Sequence, residues 1–147
     1  MYRIRTAVLE VLLVHPGGPF WKNKDDGAWS IPKGEVNEGE DLLEAAKREF
    51  HEELGMHPNA PFHPLGSIKQ KAGKLVHVWA FEDDCEPTHL KCSTNVEIEW
   101  PPRSGKIISF HEVDSADFFS IEDATKKINP AQIPLLQHVA DCAAKKR

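Results

Sequence analysis

The stretch Asp41 to Gly55, DLLEAAKREFHEELG, limits what this chain can become more than any other. Leu43, Ala46, Phe50 and Leu54 fall within about 40° of one direction on a helical wheel, a narrow stripe of the kind that faces a core. Gly55 and Pro58 predict where the helix stops. With Phe50 as the inward direction, Glu53, Glu49 and Glu52 lie at about −60°, −100° and −160°, at 100° per residue. Three carboxylates therefore share one edge. Like charges at this spacing destabilise a helix by roughly 0.2–0.5 kcal/mol per pair. A divalent cation among them removes the conflict, because hard cations take oxygen ligands and keep open positions for phosphate oxygens. Arg48 stands four residues before Glu52, within reach of a charge-assisted hydrogen bond.

Around this helix the pattern is mixed. AVLEVLLV, Ala7 to Val14, is apolar and β-branched enough for a buried strand, and HPGGP at His15 to Pro19 ends it. A loop with Phe20, Trp21 and Trp29 leads to IPKG, Ile31 to Gly34. Leu65–Gln70 and Leu75–Glu82, joined by KAGK (Lys71–Lys74), predict a hairpin. Residues 85–105 predict an irregular excursion with a short strand at VEIEW. Short strands follow at Ile107–Phe110 and Asp117–Phe119. Ser120 caps a helix from Ile121, Asn129-Pro130 interrupts it, and a last helix carries Ile133, Leu136, Val139 and Ala143. Without strict βα alternation, α+β or an α/β sandwich is expected, as one domain over residues 1–147.

The formal charge of −5 opposes a broad footprint for duplex nucleic acid. It is compatible with a small polyanion held through metal ions. No apolar run approaches the roughly 20 residues of a membrane span. Three cysteines are too few for a disulfide framework, so a cytoplasmic location is expected. Cys85, His89 and Cys92 match no common zinc spacing.

The longer segment GEVNEGEDLLEAAKREFHEELGM, Gly34 to Met56, resembles the signature box of the Nudix hydrolases at every fixed charge and glycine, with Phe50 where an aliphatic residue is usual. The resemblance implies an α/β/α sandwich with a mixed sheet, in which the box forms loop, helix and loop. It implies hydrolysis of a nucleoside diphosphate linked to another group, with Mg²⁺ or Mn²⁺. It makes Glu49 and Glu53 the principal metal ligands, Glu52 a further ligand or water activator, and Arg48 the residue that orients them. Lys33 offers a backbone carbonyl to metal, and Glu40 stabilises the loop. Family members of this kind usually open on a fuller strand than MYRIRT, so the completeness of the sheet is in question.

Outside the box, a further carboxylate is expected from a loop. Glu112 in FHEVD is the first choice, with Glu97 and Glu99 as rivals. WSIPKG resembles the entry to the box in asymmetric dinucleoside-tetraphosphate hydrolases, which makes a dinucleoside polyphosphate the leading substrate. Alternatives are pyrophosphohydrolysis of nucleoside triphosphates, damaged ones included, and a nucleotide-binding module without turnover. Trp21 and Trp29 are candidates to stack bases, with Phe20, Trp79 and Trp100 behind them. Lys22 and Arg103, with Lys24 and Lys106, are candidates to hold phosphates. Oligomeric state has no sequence signal.

Overall fold

Two antiparallel pairings build the central sheet. In the computed structural model, which describes residues 1–33, 38–69 and 73–145, strand β1 (Tyr2–Arg5) pairs with β2 (Val8–Pro16), and β2 pairs with β7 (Val113–Ser120). The outer edge of β1 runs parallel to the segment after β4. The Tyr2 amide donates to the Phe81 carbonyl at 3.0 Å, and the Asp83 amide donates to the Tyr2 carbonyl at 3.1 Å. The sheet is therefore mixed. Ala7 does not begin the second strand. Thr6 and Ala7 take φ 53° and 63°, the two-residue turn that matches strand twist, without the Asn-Gly signal that usually marks it.

Strand β3 (His63–Lys69) pairs with β4 (Leu75–Ala80), and β5 (Asn95–Glu99) with β6 (Ile107–His111). Gly34 of the box and residues 70–72 of the expected hairpin turn lie outside the described residues. The DFF segment belongs to the longer strand β7, because β2 offers it a continuous partner from Glu10 to Pro16.

Alternation along β2 sends side chains to two cores. Leu12 and Val14 pack with Phe118, Phe81, Phe50 and Leu54, the last two from helix α1 (Leu42–Leu54). Val11 and Leu13 pack with Ala124 and Ile128 next to helix α2 (Ile121–Lys127), and with Leu136 and Ala143 of α3 (Ile133–Lys145). Burying each large apolar side chain contributes roughly 1.5–3 kcal/mol. The result is an α/β/α sandwich with α1 on one sheet face and α2 and α3 on the other. No described helix is long and apolar enough to cross a membrane.

The α1 stripe differs from the wheel. Phe50 and Leu54 are buried, but so are Ala45 and Glu53, while Leu43 and Ala46 are only half-buried. Leu43 and Ala46 face a cavity of about 450 Å³ instead of packed side chains.

Candidate active site

Both ends of α1 are fixed locally. The Asp41 carboxylate accepts from the Glu44 amide at 3.2 Å, and Gly55 turns the chain out of the helix at φ 73°. A Cβ at Gly55 would lie 2.9 Å from the Lys91 carbonyl oxygen. The contact is tight because residues 91–93 satisfy the last helical carbonyls. The Lys91 amide donates to Leu54, and the amide and hydroxyl of Ser93 both donate to Glu52, at 2.7 and 2.9 Å. Such carbonyls have no partner inside the helix.

Arg48 is the hub of the exposed edge. Its Nε and Nη2 donate to the two Glu40 oxygens at 2.8 and 3.0 Å, a bidentate clamp that ties the helix to the loop before it. Its Nη1 donates to Glu49 at 3.0 Å and to both Glu52 oxygens at 3.1 and 3.3 Å. The Glu40 bonds, with those to Glu52 and Glu49, hold the guanidinium in its charged form, well above its ordinary pKa. Glu40 serves the loop, as expected.

Glu53 is buried, at 3% exposure, and the Lys33 amide donates to its Oε2 at 3.2 Å. Desolvation raises its pKa from 4.5 to about 8, with the Glu112 and Glu49 charges adding to the rise. Burial also raises Glu49, against the pull of Arg48. Glu112 lies between β6 and β7, exposed, and its charge acts on both Glu49 and Glu53. The fold thus puts the loop carboxylate within electrostatic range of the helix edge. Glu97 and Glu99 stand on the exposed side of β5, and Glu99 accepts from the Arg103 amide at 2.6 Å.

Thr94 and Ser93 were missed in the sequence, where CST carries no motif. The Thr94 hydroxyl donates to Glu112 at 3.0 Å, and its carbonyl accepts from the Glu112 amide at 3.1 Å. Ser93, next to it, holds the end of α1. Two adjacent residues therefore tie the Glu112 bend to the helix that carries Glu49 and Glu53.

Several substrate candidates fall elsewhere. Trp29 sits across the sheet from α1, edge-on to His15 and Phe119, and its indole N–H donates to Asp25 at 2.8 Å. It is a packing residue. Arg103 lies in the β5–β6 turn at φ 64°, at the end of the hairpin away from Glu112. Four residue steps of about 3.4 Å separate those ends, so Arg103 does not reach the carboxylates through the hairpin. Lys22 is exposed on the loop that carries Trp21. Trp21 is half-buried beside Phe20 and shares a groove with Glu112.

The donor set suits a hard divalent cation. Glu49, Glu53 and Glu112 repel one another, and Arg48 bonds to Glu49 and Glu52 on the neighbouring side. Among the described residues no three acidic, His or Cys side chains already converge into a cage. Mg²⁺ does not require one, since it keeps several waters and binds through one or two carboxylates plus phosphate.

The sequence model of the NUDIX domain matches residues 2–139. The chain belongs to the NUDIX family. An RNA pyrophosphohydrolase from Francisella tularensis subsp. mediasiatica is 40% identical over 58 residues, 39% of this chain and 36% of that protein. The match thus spans about a third of the curated relative. Among solved structures, the NUDIX domain of Shewanella oneidensis NrtR complexed with ADP ribose has a TM-score of 0.67, at 14% identity, covering 97% of this chain and 82% of that one. A C. elegans Ap4A hydrolase binary complex has a TM-score of 0.66, at 22% identity, covering 98% and 94%. At these identities the two structures establish the NUDIX fold for this chain. Within that fold, the box helix carries the acidic edge described above.

Proposed function

We propose that the chain is a Mg²⁺- or Mn²⁺-dependent hydrolase of a phosphoanhydride bond in a nucleotide, with a dinucleoside polyphosphate as substrate. The observation that carries this reading is buried Glu53, whose charged form is opposed by burial and by the neighbouring Glu49 and Glu112 unless a cation joins them. Glu49 and Glu53 would hold the metal, with Glu52 and the Lys33 carbonyl as further ligands. Bound there, divalent cations neutralise the diphosphate and lower the pKa of an attacking water.

The protein's own groups do the rest. Arg48 keeps Glu49 and Glu52 in place. Glu112, or Glu52, takes the proton of the water as its oxygen bonds to phosphorus. The anhydride P–O bond breaks on the opposite side, and the leaving phosphate oxygen carries away the electron pair. Charge builds on the equatorial oxygens, so positioning and electrostatics supply most of the acceleration. The cavity of about 450 Å³ is lined by Glu49 and Lys33 at one side and by Phe50, Trp79 and Val139 within. Its size suits a nucleoside.

Hydrolysis of diadenosine tetraphosphate with Mg²⁺ in ¹⁸O-water, with products resolved by mass, tests the reading. ATP and AMP are expected, with label in one product only. Two molecules of ADP reject asymmetric cleavage. A second reading, release of diphosphate from nucleoside triphosphates, is favoured by the relative named RNA pyrophosphohydrolase, and it takes over if triphosphates alone are cleaved. Binding without turnover of either substrate identifies a nucleotide-binding module. The three free cysteines fit a reducing, cytoplasmic setting.

A further inference from the structure

A second recess has Glu112 in its wall. Phe20, Trp21, Val96, Ile98, Phe110 and Glu112 line an open groove of about 460 Å³ between the loop after β2 and the β5–β6 hairpin. Its walls are aromatic and aliphatic, yet it faces solvent, with Phe20 55% exposed. Glu112 is both a wall of this groove and a charge on Glu49 and Glu53. The first cavity has Glu49 and Lys33 in its lining. Glu49 thus lines one apolar recess and Glu112 the other.

The groove is built rather than left over. The Gly17 amide donates to the Glu112 carbonyl at 3.0 Å, and a Cβ on Gly17 would strike the His111 carbonyl. A Cβ on Gly18, at φ 93°, would enter the Phe110 ring. Only glycines let the loop lie this close to β6. Buried His15 pins the other end of the loop, with one ring nitrogen 2.9 Å from Asp114 and the other 2.6 Å from the Lys24 carbonyl. The Lys24 ammonium lies 3.3 Å from the Phe20 ring centroid, which puts a cation at the aromatic lip.

We propose that this groove is a second nucleobase subsite, which takes the flat group at the far end of a substrate's phosphate chain. The inference rests on the reading that a polyphosphate lies along the carboxylate edge. A chain crossing that edge from the first cavity emerges at Glu112, where aromatic faces await a base. Trp21 and Phe20 would discriminate substrates with two bases from those with one.

Calorimetric binding with Mg²⁺ tests this without turnover. The probes are methylene-bridged diadenosine tetraphosphate and methylene-bridged adenosine tetraphosphate. Wild-type protein should bind the two-base probe tighter by about 5- to 100-fold, the range of one stacked base. Trp21→Ala with Phe20→Ala should bring that ratio close to one. If the double variant melts early, Phe20→Ala alone, at an exposed ring, should still lower it. Ile107→Ala, an exposed apolar residue outside the groove, should keep the ratio. Equal affinities in the wild type, or a ratio that ignores Phe20 and Trp21, overturn the proposal. Failure to hydrolyse any nucleotide sinks the activity reading instead, and leaves the binding ratio to decide this one.

Discussion

Glu53 carries the sharpest consequence at the scale of one residue. Its carboxyl loses its proton near 4.5 in an unfolded chain and at about 8 in the folded one. Between those values the folded state binds the extra proton, so this residue's contribution to stability falls as pH rises. It is fully present below about pH 4.5 and gone above about pH 8. Glu53→Gln keeps the acceptor for the Lys33 amide and removes the charge. Metal-free Glu53→Gln should therefore be more stable than wild type at pH 8, by on the order of a few kcal/mol, and match it at pH 4.5. Mg²⁺ should raise the wild-type melting temperature at pH 8 and scarcely move the variant. Scanning calorimetry at the two pH values reads both effects, and a metal-free Glu53→Gln that is less stable at pH 8 refutes the electrostatic conflict. Arg48 was legible as a partner for Glu52 through its spacing. Its grip on Glu49 and its clamp on Glu40 depend on how the loop before the helix returns, which spacing does not record.

At the scale of elements, α1 was readable because its stripe, its acidic edge and Gly55 agree. The wheel failed for Ala45 and Leu43, since burial depends on what lies opposite, here a cavity and the loop at Lys33. Gly55→Ala should destabilise by more than the roughly 1 kcal/mol of an ordinary glycine exchange, because φ 73° and the Lys91 carbonyl both oppose a Cβ. Asp41→Ala should cost about 1 kcal/mol through the lost cap. Urea unfolding separates the two, and a smaller loss for Gly55→Ala than for Asp41→Ala contradicts the tight docking of residues 91–93. Ser93 and Thr94 carry no sequence signal because they act by joining elements distant in the chain. Thr94→Val should leave folding intact and lower kcat several-fold, about the effect of one hydrogen bond near 1 kcal/mol. The fall should appear in kcat with KM little changed, since Thr94 orients Glu112. An unchanged kcat removes Thr94 from that role.

Across the whole molecule, the fold was legible where pattern and family box coincide, and less so where pairing decides. MYRIRT predicts less than a full strand, and its four residues in β1 meet β2 on one edge and residues 81–83 on the other. Trp29 and Trp21 are the same residue type in the same loop region, yet the bridge of Trp29 to Ile128 holds it on the α2 and α3 face while Trp21 lines the groove with Glu112. Only the assembled sheet tells them apart. The same assembly ties Glu112 through Thr94 and Ser93 to the end of α1, while Glu97 and Glu99 stand on the exposed side of β5. Turnover of diadenosine tetraphosphate at saturating Mg²⁺, compared across Glu53→Gln, Glu112→Gln and Glu97→Gln, tests that convergence most directly. Glu53→Gln and Glu112→Gln should each lower kcat by about 10- to 10³-fold, with Glu53→Gln the more severe, and Glu97→Gln should turn over as wild type. Near-normal turnover in Glu53→Gln, or a loss in Glu97→Gln that exceeds the one in Glu112→Gln, contradicts the account.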